Sequence, residues 1–188
     1  MRLFVALPLP EPLRHGLLAA VEPLRGRRPA ARWERAEKLH LTLLFLGEVA
    51  SDRLDGLVAE LGRAVGPVAR FEARLGGGGS FPAPARARVL WMGVDGGEAF
   101  DELRRRVAQS GGPFVERPDP KPFHPHLTLA RCEPPWEAES VRRFVDLLEP
   151  LCGERVPVDH LALVESELGR GGSRYRDVAR FALAGAPA

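Results

Sequence analysis

"LHLTLLFLG" at residues 39–47 and "PHLTLAR" at residues 125–131 place the same four letters, His-Leu-Thr-Leu, twice in a chain of 188 residues. A repeated apolar run needs no explanation, because strands with a covered face recruit Leu and Val. The His and the Thr do need one. On a strand, residues two apart share a face, so His40 projects with Thr42 and His126 with Thr128, while the leucines between them turn the other way. One His-x-Thr is ordinarily structural; two in matching surroundings point to a shared task.

The two histidines are 86 residues apart, and the same offset relates the elements around them. "RLFVALPL" near the start has its counterpart in "RVLWMGVD", both rich in β-branched and bulky residues that favour strands. Leu13, Leu17, Val21 and Leu24 form a helical stripe after Pro12, which suits a first-turn position, and Phe100, Leu103 and Val107 form its equivalent. Ser51 is positioned to cap a helix carrying Leu54, Leu57, Val58, Leu61 and Val65; the second half answers with Val141, Phe144, Val145 and Leu148. "FEARL" and "VDHLALVES" close the two halves as strands, and "YRDVARFALA" adds one more. The pattern predicts a single α+β domain built from two internal repeats, roughly 1–80 and 86–188. The repeats are expected to form two pseudo-twofold-related lobes, each with a mainly antiparallel sheet and helices, around a cleft. "GGGGSFPAPAR" lacks the Lys and Ser/Thr of a phosphate-binding P-loop and is expected to be a turn or linker between the halves.

Hydrophobic residues make up 45% of the chain and charged residues 28%, with no apolar run approaching a membrane span, so a soluble globular protein is expected. The opening "MRLFVALPLPEP" is too short and too proline-rich for a signal peptide, which places the protein in the cytoplasm and its two cysteines, Cys132 and Cys152, as thiols. A net charge of +2 is small for a protein that coats long duplexes. The local clusters "RGRRPAARWER" and "RGGSRYR" suit a short anionic ligand.

Two imidazoles and two hydroxyls in one cleft carry a definite chemistry. Imidazole titrates near pH 6.5, so one His accepts a proton while its twin donates one, and each Thr hydroxyl bonds a phosphoryl oxygen. Such a set matches phosphodiester cleavage without metal. Each copy supplies only one good metal ligand, with no Asp or Glu at a neighbouring ligand position, so neither zinc nor manganese is expected. His15 and His160 have no partner motif and are assigned to packing or surface. His124, two residues before His126, is left between the cleft and the loop.

Taken with "RLFVALPLP", "RVLWMGV", "KPFHPHLTLAR" and "LVESELGRGGSRY", the paired motifs make the chain resemble the two-histidine phosphoesterases, specifically the RNA 2′,3′-cyclic phosphodiesterases, also called 2′-5′ RNA ligases. The resemblance spans nearly the whole chain. It implies hydrolysis of a terminal 2′,3′-cyclic phosphate on RNA to a 2′-phosphomonoester, without cofactor, at RNA 3′ ends; a monomer is expected. It also implies His40 as proton donor to the 3′ leaving oxygen, His126 as the base that activates water, and Thr42 and Thr128 as phosphate ligands. Arg131 matches a phosphate-site position, but a flat strand would aim it away from the cleft, so its role requires a bulge or a strand end. Phe45 stands at the equivalent place in the first half, where a base can stack on it. The alternatives are ATP-independent 2′-5′ ligation, hydrolysis of other 2′-5′ or cyclic nucleotides, and a non-catalytic RNA-end-binding module.

Overall fold

A computed structural model describes residues 1–27, 30–117, 122–169 and 172–185; Lys121, between Asp119 and His124, lies outside them. In chain order the main elements are β1 (Arg2–Pro8), α1 (Glu11–Ala20), β2 (Ala31–Trp33), β3 (His40–Glu48) and α2 (Leu54–Val65). There follow β4 (Phe71–Phe81), β5 (Ala87–Asp95), α3 (Gly97–Gly111), β6 (His126–Trp136), α4 (Ala138–Leu148), β7 (Arg155–Val158), β8 (His160–Gly169) and β9 (Gly172–Ala182). The mixture is α+β, as the two hydrophobic periods predict. No described helix is long and apolar enough to cross a membrane.

The nine strands among the described residues join one sheet in the order β7-β4-β5-β6-β3-β1-β8-β9, with the short β2 paired to β6. Every named strand pair is antiparallel. The two HLTL strands, β3 and β6, are therefore neighbours at the middle of the sheet, joined through Leu41 opposite Leu127. The halves of the sequence interleave around this seam. β4, from the first half, pairs with β5 of the second, and β8, from the second half, pairs with β1 of the first. Helices cross over likewise: α3 packs on α2 and β3, and α1 touches α4, which lies on β4 and β5.

One face of the sheet is covered by helices and holds the main core. Leu41, Leu43, Leu127 and Leu129 of the central strands are buried in it, with Leu57, Leu61, Phe100, Leu103, Val107, Val141, Phe144 and Leu148 from the helices. Burying each such side chain is worth about 1.5–3 kcal/mol. β1 is buried on both faces: Leu3, Val5 and Leu7 enter the main core, while Phe4 and Ala6 form a small cluster with Ala162 and Val164 on the opposite, open face.

Several local expectations need correction. The glycines Gly76–Gly79 are not a linker; they lie inside β4, and the connection to β5 is the short turn Pro84–Arg86. "VDHLALVES" is two strands, broken between Val158 and His160. α1 stops at Ala20, so Val21 and Leu24 fall beyond it; Pro23, in the one-turn segment Glu22–Leu24, has no N–H to continue an α-helix. Ser51 opens a one-turn 3₁₀ segment, Ser51–Arg53, ahead of α2 and makes no side-chain cap. β2 had no hydrophobic signal to announce it. The first strands match with an offset of 85, not 86, since Pro8 faces His40 and Gly93 faces His126.

Candidate active site

The His-Leu-Thr-Leu strands sit on the open face because Leu41, Leu43, Leu127 and Leu129 are claimed by the core, and alternation turns His40, Thr42, His126 and Thr128 outward. An antiparallel pair centred on Leu41 and Leu127 sets His40 alongside Thr128, and Thr42 alongside His126. The imidazoles are near enough that a charge on His126 opposes a charge on His40.

Beyond the leucines both strands bulge at the same place. In β3 the pairing with β1 jumps from Val5–Leu44 to Ala6–Thr42; in β6 the pairing with β5 jumps from Leu90–Ala130 to Trp91–Thr128. One extra residue inverts the alternation. Arg131 and Phe45 therefore leave the core side and join the histidines on the open face, which supplies the bulge that Arg131 requires. Phe45 is 62% exposed. Arg131 is half-exposed, with its Nε 4.0 Å from Glu34 Oε1. Glu34 is fixed there by its backbone N–H, which donates to Leu129 O at 2.8 Å.

Each imidazole is pinned by its Nδ1. His40 Nδ1 lies 2.7 Å from Lys38 O, and His126 Nδ1 lies 2.7 Å from His124 O. A carbonyl only accepts, so Nδ1 carries the proton in both rings and Nε2 is the working nitrogen of each. His40 Nε2 is 3.1 Å from Thr42 Oγ1. Burial is the main influence on both pKa values and lowers them, opposed by the bond to the carbonyl; the opposing charge of His126 lowers His40 further, and those of His124 and Arg131 lower His126.

Aromatic rings supply that burial, and sequence reasoning did not single them out. Phe4 stacks on His40 at 4.8 Å and 28°, and Tyr175, from β9, meets its edge at 5.4 Å and 85°. Phe81 stands 5.0 Å from His126 at 84°, with Trp91 at 6.2 Å. Trp91 could have been found from register, since it faces Thr128 across β5–β6. Tyr175 reaches His40 from three strands away, which only the curl of the sheet decides. Among the described residues, no group of three or more His, Cys, Asp or Glu is gathered to hold a metal ion.

A sheet face with paired imidazoles and hydroxyls, backed by helices on the other side, is the architecture of a two-histidine phosphoesterase class. The family model of the 2′-5′ RNA ligase superfamily matches residues 10–170, and the chain belongs to that superfamily. The RNA 2′,3′-cyclic phosphodiesterase of Thermus thermophilus is 38% identical over 194 residues, covering 98% of this chain and 91% of the relative. That of Escherichia coli is 32% identical over 190 residues, covering 97% and 96%. Among solved structures, E. coli LigT complexed with 3′-AMP superposes with a TM-score of 0.79 at 30% identity, covering 97% of this chain and 98% of that one. TT0787 of T. thermophilus does so at 0.76 and 35%, covering 98% and 99%.

Proposed function

We propose that this protein hydrolyses terminal 2′,3′-cyclic phosphates on RNA to 2′-phosphomonoesters, as the names of its relatives suggest, by acid–base catalysis between His126 and His40. The observation that carries the mechanism is the matched pinning of both rings, which leaves two Nε2 atoms on one face beside two hydroxyls. His126 Nε2 takes a proton from water; the water oxygen attacks phosphorus opposite O3′; the P–O3′ bond breaks; and His40, entering the cycle protonated, delivers its proton to O3′. A general acid and a general base contribute about 10²- to 10⁴-fold each. The charge of Arg131 favours a neutral His126, which suits the base, and Arg131 with Thr42 and Thr128 holds the phosphoryl oxygens. Phe45, exposed beside Phe4, stacks on the base of the terminal nucleotide.

Both histidines come from one chain, so a monomer in the cytoplasm suffices, and RNA 3′ ends are the partner. The domain is read as two repeats, 1–80 and 86–188; the equivalent bulges in β3 and β6 support that division. The test is product analysis of a short RNA ending in a 2′,3′-cyclic phosphate, incubated with protein in excess EDTA alongside His40→Ala and His126→Ala. Ring opening to a 2′-phosphate by the native chain, and its loss in both variants, is expected. Turnover that EDTA abolishes, or a variant with near-native activity, overturns the mechanism.

A further inference from the structure

The two imidazoles are pinned alike, but the carbonyls that pin them are held by different means. In the first motif the carbonyl belongs to Lys38, the last residue of the one-turn 3₁₀ segment Ala36–Lys38. Lys38 N–H donates to Arg35 O at 2.9 Å and Leu39 N–H to Ala36 O at 3.1 Å, and Leu39, between carbonyl and imidazole, is buried in the core. Backbone bonds and one core leucine therefore fix the acceptor for His40. In the second motif the place of Leu39 is taken by Pro125, which has no N–H, so the bond that closes the turn has no counterpart. Residues 122–125 accordingly form no helix or strand, and Pro122 withdraws a second donor. Their one described backbone bond to another element runs from Val94 N–H of β5 to Pro125 O at 3.1 Å, and it leaves the His124 carbonyl to be placed by other means.

What places it is the side chain next door. Phe123 packs partly buried against the core, and two residues of α3, one turn apart, meet its ring. Phe100, itself buried, stacks on it with centroids 6.3 Å apart and planes at 18°, and Cζ of Arg104 lies 4.5 Å from its centroid. The guanidinium is used here for its face. Arg104 Nε is buried with no hydrogen-bond partner among the described residues, a cost that stacking on Phe123 offsets.

We propose that Phe123 is the positioning residue of the base: docked on Phe100 and Arg104 of α3, it fixes the His124 carbonyl, and through it the tautomer and aim of His126. Helix α3 thus holds the base, whereas a local backbone turn holds the acid. The inference rests on the paired-histidine reading for what His126 does, and on the packing alone for how it is held. A neutral imidazole whose Nδ1 proton is given to a carbonyl has a free electron pair on Nε2, which proton abstraction from water requires. A ring released from that carbonyl exchanges the proton between its nitrogens and spends part of its time with Nε2 protonated, unable to accept.

The experiment reads the imidazole tautomers by proton–nitrogen correlation spectroscopy at about pH 8, where both rings are neutral. It uses the native chain, Phe123→Ala, Phe123→Tyr and Arg104→Met, and pairs the spectra with kcat and KM on an RNA with a 2′,3′-cyclic end. In the native chain both rings should read as Nδ1–H. Phe123→Ala is expected to leave His40 so and to bring Nε2–H signal to His126, with kcat falling about 10- to 100-fold and KM staying within about twofold. Phe123→Tyr, which keeps the ring, restores the Nδ1–H form and most of the rate. Arg104→Met removes only the guanidinium and decides the same question should Phe123→Ala not fold: Nε2–H signal at His126 alone is expected, and its absence overturns the proposal. A His126 that stays Nδ1–H in a folded Phe123→Ala, or a disturbance shared equally by His40, overturns it too. The tautomer reading needs no turnover, so a native chain that opens no cyclic ends but shows this response at His126 overturns the proposed function and leaves the role of Phe123 standing.

Discussion

Replacing Arg131 with Met removes one cation from the open face and tests two consequences at once. Its guanidinium is half-exposed and tethered loosely to Glu34 at 4.0 Å, so no buried partner is stranded and the fold has little to lose. In the proposed transition state, however, a hydrogen bond from it goes to a charged phosphoryl oxygen, worth about 1.5–3 kcal/mol. That corresponds to a fall of about 10- to 150-fold in kcat/KM. The second consequence is in the pH profile. The acid limb of kcat/KM reports the free enzyme's base, which must be neutral to work. Arg131 lowers the pKa of His126, so without it His126 holds its proton to higher pH and the limb moves up. The shift is small because burial and His124 outrank Arg131 among the influences that lower His126, and salt weakens it, so the assay belongs at low ionic strength. Initial rates on a cyclic-ended oligonucleotide across pH, for the native chain, Arg131→Met and Arg131→Lys, give both readouts. Lys keeps the charge and loses the planar fork, and an intermediate rate with an unshifted limb is expected. A loss under about threefold for the Met variant, or a limb that moves to lower pH, refutes the role assigned to Arg131.

Thr42→Val and Thr128→Val each remove one hydroxyl beside an imidazole, and each is expected to lower kcat/KM by about 10- to 150-fold, the value of one hydrogen bond to a charged oxygen, while leaving thermal stability close to native; a loss of stability that tracks the loss of rate would show the hydroxyls to be structural. Both histidines have pKa values lowered from 6.5 in the folded protein, so the unfolded chain binds more protons below that pH. Stability is therefore full above about pH 6.5 and falls as pH drops toward the folded values; urea midpoints should show that slope, and His40→Gln with His126→Gln should flatten it. Leu127→Ala opens a cavity at the β3–β6 seam, where Leu127 and its partner Leu41 are fully buried, and should cost about 2–5 kcal/mol in chemical denaturation; a cost below about 1 kcal/mol would mean that the central pairing is held elsewhere.

The glycine run shows where reading the chain alone falls short. Four glycines followed by Ser, Phe and Pro carry every local mark of a turn, because glycine's freedom is the strongest local signal there is. In the folded protein Gly79 is a strand residue whose missing side chain makes room for Trp91, a partner 12 positions away that no local pattern names. The split of "VDHLALVES" and the early end of α1 are smaller departures of the same kind, where pairing and a single proline decided boundaries that periodicity left open.

By itself the sequence determined the α+β class, the apolar helix stripes, and the placement of His40 with Thr42 and His126 with Thr128. All of these follow from periods of 3.6 and 2, which act over neighbouring residues. Tertiary structure alone decided that the two motif strands lie side by side, that β4 pairs with β5 and β8 with β1 across the halves, and that twin bulges bring Arg131 and Phe45 onto the histidines' face. It also decided which rings enclose each imidazole, and hence that both pKa values fall. Strand order, register slips and desolvation depend on what lies across the sheet, and residues far apart in the chain meet there only once it has folded.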